Sequence, residues 1–355
     1  MILLPKPETV EAVAAVGLRY VCSDKPGITR KRRGKGFAYF GPDGTQVKDR
    51  ATIDRIQSLV IPPAWTDVWI CPTPNGYLQA VGWDAKKRKQ YLYHARYRET
   101  QNLRKFDHIL EFGARLPRIR RAVRRDLQLP GMPKERVLAL VVRLLDDTCI
   151  RVGNDEYVKQ NGSFGITTLR NRHAKVKGDK VEFLFRGKSG VEQDVELQDR
   201  DLARIVKQCQ DLPGEELFRY RTEKGEYKAI DSADVNEYLH QIGGQEITAK
   251  DFRTWHGSSQ MLAELFGIGP CSSETDAKKR VNAALKTTAA KLGNKPSTCR
   301  EYYVHPQIIQ SYKEGGLFTR SGEPVLKCSA QSRRVQEAAL TEFVRKFCGS
   351  RRAAA

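Results

Sequence analysis

Four residues after position 150 could together break and remake a phosphodiester bond. Tyr303 ends a tract that begins at Leu292, and three basic residues lie upstream of it, Arg151, Lys188 and Arg253. The hydroxyl group of tyrosine is a weak nucleophile at neutral pH, so its attack on phosphorus needs cations that stabilise charge on the phosphoryl oxygens. Two arginines, one lysine and one tyrosine supply this chemistry without a metal ion.

The chain is strongly basic, with 62 Lys and Arg residues against 42 Asp and Glu residues and a net charge of +20. A charge of this size favours an anionic polymer as the partner, and nucleic acid is the leading candidate. The alternative is a merely solvated surface, but a mixed surface nearer neutrality would serve solubility as well. We therefore expect a nucleic-acid-binding protein.

Several other classes of protein are disfavoured by the sequence. No apolar run approaches the roughly 20 residues of a membrane span, and no signal pattern begins the chain, so we expect a cytoplasmic, nucleoid-associated protein. The 8 cysteines form no Cys-x-x-Cys pair, which argues against a zinc site. The triplet Gly187 to Ser189 is similar to the end of a nucleotide phosphate loop, but Glu182 stands where that loop needs glycine. We expect no metal, no ATP and no other cofactor.

The spacing of apolar residues and turn signals predicts an α+β protein of two domains. Residues 17–94 contain short apolar runs broken by turn residues, which indicates a β-rich domain. Helical spacing begins near residue 95, and six arginines between Arg115 and Arg125 are expected to contact phosphate. We predict a small β-rich N-terminal domain over residues 1–95 and a larger, mainly helical catalytic domain with a short β-sheet over residues 96–355.

Local patterns also predict the setting of the basic residues. Apolar residues at helical spacing follow Pro133 up to Asp147, so Arg151 should lie just past the end of a buried helix. The alternating segment 181–185 indicates a strand that leads into a hairpin turn carrying Lys188 between two glycines. After about residue 200 the pattern is largely helical.

Taken in order, these segments resemble the type IB DNA topoisomerases of the poxvirus-like kind, and most closely their bacterial branch. The resemblance extends over nearly the whole chain, and Tyr303 stands nine places after Asn294, which is the spacing of the family. The segments that carry it are Gly82–Asp84, Arg88–Tyr93, Cys149–Asn154, Gly165–His173, Phe185–Lys188 and Lys250–Thr254.

The resemblance implies a catalytic fold like that of tyrosine recombinases and type IB topoisomerases, and it assigns roles to four residues. Tyr303 attacks phosphorus and forms a 3′-phosphotyrosyl linkage, which keeps the energy of the broken ester and makes cleavage reversible without ATP. Arg151 and Arg253 stabilise the transition state through the nonbridging oxygens. Lys188 protonates the departing 5′-oxygen.

Three further residues near the nucleophile need separate interpretation. Asn294 stands where the family commonly has histidine, and its amide can donate to a nonbridging oxygen but cannot transfer a proton near pH 7. His305 is interpreted as a packing or backbone-capping residue rather than a base, and Tyr302 as a structural neighbour of the nucleophile.

The resemblance also implies the partner, which is double-stranded DNA held by a monomer that closes around it as a C-shaped clamp. Rotation of the cut strand about the intact one then relaxes positive and negative supercoils. The residues expected to contact DNA are Arg88, Lys89, Gln90, Tyr91, Tyr93, Arg170, Arg172 and Lys250.

Two other functions stay open at this point. Tyrosine recombinases share the Arg, Lys, Arg, Tyr set, but usually carry His-x-x-Arg where this chain has Lys250-x-x-Arg253. A basic DNA-packaging protein would bind DNA and form no covalent adduct.

Overall fold

The computed structural model describes residues 7–34, 36–85, 87–98, 100, 108–328 and 332–348. The chain divides into two compact units, Met1–Lys105 and Phe106–Ala355, and each is described here by itself. The domain boundary at residues 95 and 96 stays a prediction. In the described ranges, no helix is both long and apolar enough to cross a membrane.

The first unit is built on an antiparallel sheet of five strands in the order β2-β1-β3-β4-β5, which confirms the β-rich prediction. The short helices α1 and α2 accompany the sheet and were not predicted. The elements are α1 (Pro7–Ala14), β1 (Ile28–Arg33), β2 (Gly36–Phe40), α2 (Arg50–Ser58), β3 (Thr66–Ile70), β4 (Leu78–Trp83) and β5 (Lys89–Tyr93).

The residues of β5 that were predicted to contact DNA lie on two opposite faces of the strand, because side chains alternate along it. Lys89, Tyr91 and Tyr93 are exposed on one face, whereas Gln90 and Leu92 point to the other and are half-buried. Leu92 packs against the apolar cluster of β3 and β4, so the burial of one face fixes which side chains β5 presents to solvent.

The second unit is mainly helical and contains a short antiparallel sheet in the order β6-β7-β8, as predicted. Its elements are α3 (Ile109–Asp126), α4 (Lys134–Thr148), α5 (Asp155–Asn161), β6 (Ala174–Lys177), β7 (Lys180–Arg186), β8 (Glu192–Gln198), α6 (Arg200–Gln210), β9 (Arg219–Arg221), β10 (Tyr227–Ala229), α7 (Ser232–Gly243), α8 (Ala249–Ile268), α9 (Glu274–Lys291), α10 (Pro296–Tyr302), α11 (Pro306–Lys313) and α12 (Arg333–Cys348).

Helix α8 is the centre of this unit. Fifteen of its residues are buried, and it packs against α3, α4, α9 and α12. A helix that is buried on nearly all sides holds its side chains in fixed positions, because neighbours on every face restrict their rotamers. The first turn of α8 carries Lys250 and Arg253, so the core of the unit determines where these two cations lie.

The predicted helix before Arg151 is confirmed as α4, with Pro133 at its N-cap and Val137, Val141 and Leu144 buried. Helix α3 carries the arginine run. Arg118 and Arg121 of that run are exposed, but Arg120 belongs to an ion cluster that joins four helices.

In this cluster, the buried carboxylate of Asp146 on α4 accepts hydrogen bonds from Arg120 (2.7 Å), from the ring of His256 on α8 (3.0 Å) and from Arg333 on α12. Glu337 of α12 also pairs with Arg120, at 2.7 Å. Arg120 is thus a structural residue, and phosphate contact by the exposed members of the run stays a prediction.

Candidate active site

Arg151 lies in a short segment that follows α4. Cys149 ends the helix in the left-handed conformation (φ 56°), which turns the chain so that Ile150 enters the core. The carbonyl of Arg151 then accepts a hydrogen bond of 2.8 Å from the backbone N–H of Ile166. Gly165 is needed beside it, because a β-carbon there would lie 2.7 Å from the Arg151 carbonyl oxygen. Two neighbouring backbone segments therefore fix the position of Arg151.

Arg253 is buried, and its guanidinium group is held by backbone carbonyls. One terminal nitrogen donates to the carbonyl of Cys149 and the other to the carbonyl of Leu292, at 2.8 Å. Its guanidinium carbon lies 4.7 Å from the centre of the Tyr303 ring. Through these contacts, the Arg253 side chain connects the segment of Arg151, the turn after α9 and Tyr303.

Tyr303 is the residue at the C-terminal end of the seven-residue helix α10. Its backbone N–H donates to the carbonyl of Cys299 at 2.9 Å, and Val304 beyond it is fully buried. His305 then caps the next helix, since its Nδ1 accepts from the N–H of Gln307 at 3.2 Å. The capping interpretation of His305 is confirmed, and burial lowers the pKa of this histidine to about 4, so the ring is neutral near pH 7.

The environment of Tyr303 favours the ionised phenol. Burial raises the pKa of the hydroxyl group, but the charges of Arg253 and Arg151 and hydrogen bonds from both guanidinium groups lower it by more. The pKa of Tyr303 therefore lies below the ordinary value for tyrosine. Burial and the nearby charge of Arg253 also lower the pKa of Arg151. The positive charge of Arg253 thus disfavours the charged form of Arg151, while both arginines lower the pKa of the Tyr303 phenol.

Asn294 and Lys188 line a cleft of about 590 Å³ together with Tyr303. The side-chain oxygen of Asn294 accepts a hydrogen bond from Arg151. Lys188 lies in the one-turn 3-10 helix between β7 and β8, so the predicted hairpin position is confirmed. The residues that line the cleft are Arg151, Lys188, Val191, Lys250, Gly293, Asn294, Lys295, Thr298, Tyr302 and Tyr303.

Two buried donors beside the phenol have no hydrogen-bond partner within the described part of the chain. They are Nε of Arg253 and Nδ2 of Asn294. Buried N–H groups are costly to leave unpaired, and an oxyanion at this place would pair with them. The arrangement of acidified phenol, two guanidinium groups, an amide and a lysine is suited to in-line attack on a phosphodiester.

Tyr302 is not packed in the core. Its side chain is 41% exposed and lines the same cleft as Tyr303. Two consecutive phenols thus differ in exposure, since Tyr303 is buried beside the arginines. The structural interpretation of Tyr302 stays a prediction.

The predicted DNA contacts fall in both units. In the first unit, Asp84 organises the segment before β5, because its carboxylate pairs with Arg88 at 2.6 Å and accepts from Gln90 at 3.0 Å. Lys89 lies 5.7 Å from the centre of the Tyr91 ring on the exposed face of β5.

In the second unit, Lys250 lines the cleft, and Arg172 is exposed. Arg170 makes an exposed ion pair with Glu215, at 2.8 Å.

Two positioning residues escaped the sequence analysis because neither carries charge. Ser258 on α8 is fully buried, and its hydroxyl donates to the carbonyl of Tyr303 at 3.1 Å and accepts from the N–H of His305 at 3.0 Å. Gly257 beside it lets the Tyr303 backbone approach, since a β-carbon there would lie 2.7 Å from the Tyr303 carbonyl oxygen. The backbone of Tyr303 is therefore attached to the buried helix α8.

Two family models match the chain. The catalytic core of eukaryotic DNA topoisomerase I matches residues 94–317, and the N-terminal domain of bacterial DNA topoisomerase IB matches residues 36–84. The first match contains all five residues of the candidate site. The chain therefore belongs to the type IB DNA topoisomerases.

Curated relatives agree with this family. The chain is 32% identical over 300 residues to DNA topoisomerase 1B of Acanthamoeba polyphaga mimivirus. The aligned region covers 82% of this chain and 89% of the relative. It is 25% identical over 273 residues to DNA topoisomerase 1B of vaccinia virus (strain Copenhagen), or 75% of this chain and 83% of the relative. The resemblance inferred from the sequence and the enzyme class it implies, an isomerase acting on DNA, are confirmed.

Proposed function

We propose that this enzyme relaxes supercoiled duplex DNA through a covalent intermediate between Tyr303 and a 3′-phosphate. The lowered pKa of the Tyr303 phenol between Arg151 and Arg253 is the observation that supports this most directly. Most tyrosine side chains are poor nucleophiles because they are protonated at neutral pH. In the free enzyme, the lowered pKa of Tyr303 already favours the more reactive phenolate form.

Each residue of the cleft has a defined part in the proposed reaction. Tyr303 loses its phenol proton to water, and its oxygen forms the new bond to phosphorus while the bond to the 5′-oxygen breaks. Arg151, Arg253 and the amide of Asn294 donate to the nonbridging oxygens, which carry extra charge in the transition state. Lys188 gives its proton to the departing 5′-oxygen and takes it back when the strand is resealed.

The partner in this proposal is double-stranded DNA, bound by one copy of the protein with its two units on the duplex as a clamp. The exposed side chains Lys89, Tyr91 and Tyr93 of β5 and the basic residues Arg172 and Lys250 supply contacts, most of them to phosphate. The match to a bacterial N-terminal domain supports a bacterial, nucleoid-associated enzyme. Metal and ATP are not required, because the cations that stabilise the phosphoryl oxygens are side chains.

The test is trapping of the covalent adduct on a nicked or suicide duplex, followed by a denaturing gel. We expect Tyr303→Phe to abolish the DNA-linked species and plasmid relaxation while duplex binding stays within about twofold, because one hydroxyl group contributes little to a phosphate-dominated interface. Tyr302→Phe is the matched control and should keep the adduct. An adduct that persists in Tyr303→Phe and disappears in Tyr302→Phe would transfer the role to Tyr302.

The same plasmid assay tests the absence of cofactors. Relaxation by the wild-type enzyme should proceed in EDTA without nucleotide. An absolute requirement for a divalent cation or ATP would contradict the proposal.

A further inference from the structure

Gln193, on the second strand of the Lys188 hairpin, lies between the two parts of the cleft that carry Lys188 and Asn294. It pairs in register with Phe185, two residues before Gly187, and its side chain is half-buried on the inner face of β8. Val191, two residues before Gln193, lines the cleft with Lys188. None of the roles proposed above uses this side chain.

The side chain of Gln193 contacts a glycine on each side. A β-carbon built on Gly187, at the base of the Lys188 turn, would lie 3.0 Å from Cγ of Gln193. A β-carbon built on Gly293, next to Asn294, would lie 2.6 Å from Nε2 and still closer to Oε1. The amide therefore occupies the space that any larger residue at position 293 would fill, and this side chain brings the hairpin into contact with the turn after α9.

Two backbone hydrogen bonds shape the Lys188 turn. The N–H of Gly187 donates to the carbonyl of Val191 at 2.8 Å, and the N–H of Gly190 donates to the carbonyl of Gly187 at 3.1 Å. Both bonds lie inside the turn, so they shape the turn without fixing its distance from Asn294 and Tyr303. Gln193 supplies a contact across that gap.

We infer that Gln193 is a positioning residue, which holds the Lys188 turn against the Gly293 and Asn294 turn and so sets the distance from the lysine ammonium to the departing 5′-oxygen. The inference rests on the proposed role of Lys188 as the general acid. Proton transfer requires hydrogen-bond distance between donor and acceptor, and a misplacement of about 1 Å can reduce a rate roughly a hundredfold.

The experiment compares two duplex substrates that differ in one atom, the oxygen or sulfur that bridges the scissile phosphorus to the 5′-carbon. A thiolate leaves without being protonated, since thiols are far more acidic than alcohols, so the sulfur substrate does not need Lys188. We expect Gln193→Ala to slow single-turnover cleavage of the oxygen substrate by roughly ten- to a hundredfold and to change the sulfur substrate by less than about twofold.

The matched control is Gln198→Ala, at the other end of β8, where the side chain donates to Asp179 at 3.1 Å. It should cleave both substrates at the wild-type rate. If Gln193→Ala does not fold, Gln193→Asn keeps the amide but shortens the side chain so that it no longer reaches Gly293, and the same difference between substrates is expected.

Equal slowing on both substrates, or no slowing on the oxygen substrate, would overturn the role of Gln193. Failure of the proposed function is a separate result, because the wild-type enzyme would then form no adduct with either substrate.

Discussion

The guanidinium group of Arg253 lies against the ring of Tyr303, with 4.7 Å between the guanidinium carbon and the ring centre. The same group is fixed by the carbonyls of Cys149 and Leu292. The cation is thus in place in the free enzyme, and no rearrangement of Arg253 is needed to lower the pKa of the phenol. Charge fixed in advance costs no reorganisation during the reaction, which is the basis of electrostatic catalysis in enclosed sites.

Replacement of Arg253 by an uncharged residue should therefore alter the pH dependence of cleavage as well as its rate. In Arg253→Gln the pKa of Tyr303 rises, so the increase in cleavage rate with pH moves to higher pH, and the rate near pH 7 falls by about 10²–10³-fold. Single-turnover cleavage measured across pH is the check.

Arg253→Lys is the control, because it keeps the charge and loses the planar fork. It should retain more of the wild-type pH profile than Arg253→Gln. A slow Arg253→Gln enzyme with an unchanged pH profile would contradict activation of Tyr303 by this charge.

Ser258 should contribute to stability and to the placement of the nucleophile. Ser258→Ala leaves the carbonyl of Tyr303 and the N–H of His305 without their buried partner, which costs about 1–3 kcal/mol in the free energy of unfolding. Urea unfolding measures the loss, and cleavage should slow because the Tyr303 backbone is released.

Ser259→Ala is a matched control on the same helix, since that hydroxyl donates only to the carbonyl of His256 one turn earlier, at 3.2 Å. It should cost less than Ser258→Ala and leave cleavage near the wild-type rate. If the two substitutions changed stability and cleavage equally, the hydrogen bond between Ser258 and Tyr303 would have no particular role in placing Tyr303.

The ion cluster around Asp146 should make stability depend on pH in the acid range. Burial raises the pKa of the Asp146 carboxyl, but hydrogen bonds from His256 and Arg120 and nearby positive charge lower it well below the ordinary value. A carboxylate with a lowered folded-state pKa stabilises the protein above its unfolded pKa of about 3.9, and this stability is lost as pH falls below that value.

Asp146→Asn should therefore lower the free energy of unfolding by about 2–3 kcal/mol at pH 7. This value is at the low end for breaking a buried ion pair, because the arginine partners of Asp146 are about one-third exposed. The loss on going from pH 5 to pH 3 should be smaller in the variant. Asp201→Asn, which removes an exposed pair with Arg204, is the control and should change little. Unfolding curves of equal pH dependence would contradict the role of Asp146.

Arg170 should exchange Glu215 for a phosphate when DNA binds. Arg170→Ala then removes one phosphate contact, and the slope of log affinity against log salt should become less steep by about 0.9. Glu215→Gln releases Arg170 and should tighten binding at low salt by about two- to fivefold, as expected for an exposed ion pair.

Glu216→Gln is the neighbouring control, because that carboxylate lies 4.0 Å from Arg219 rather than against Arg170. Fluorescence anisotropy over a range of salt concentrations distinguishes these outcomes. A salt slope unaffected by Arg170→Ala would show that Arg170 makes no phosphate contact.

Elements with strong local patterns were predictable from the sequence. The spacing of apolar residues in α4 and β7 and the glycines of the Lys188 turn determine the local secondary structure. The elements that carry Arg151 and Lys188 were therefore predicted correctly. Helix α2 was not predicted. It has nine residues, and Ile53 and Ile56 are its only large apolar side chains, so the helical spacing repeats too few times to be distinguished from a loop.

Contacts between distant segments were not predictable. Three such contacts are the hydrogen bond of Ser258 to Tyr303, the ion pair of Arg170 with Glu215 and the ion pair of Arg120 with Asp146. They depend on how separate helices and loops pack, which no local spacing encodes. A serine or an arginine has the same appearance in the sequence whether it is solvated or buried with a partner.

The attachment of Tyr303 to the buried helix α8 has a mechanical consequence. In the covalent intermediate proposed above, one DNA strand would be joined to the phenol, and torque in the double helix would pull on this residue and on the backbone behind it. The Ser258 hydroxyl connects that backbone to α8, where close packing resists displacement. We therefore expect the protein end of the broken strand to behave as a rigid anchor, so that the rotation takes place in the DNA.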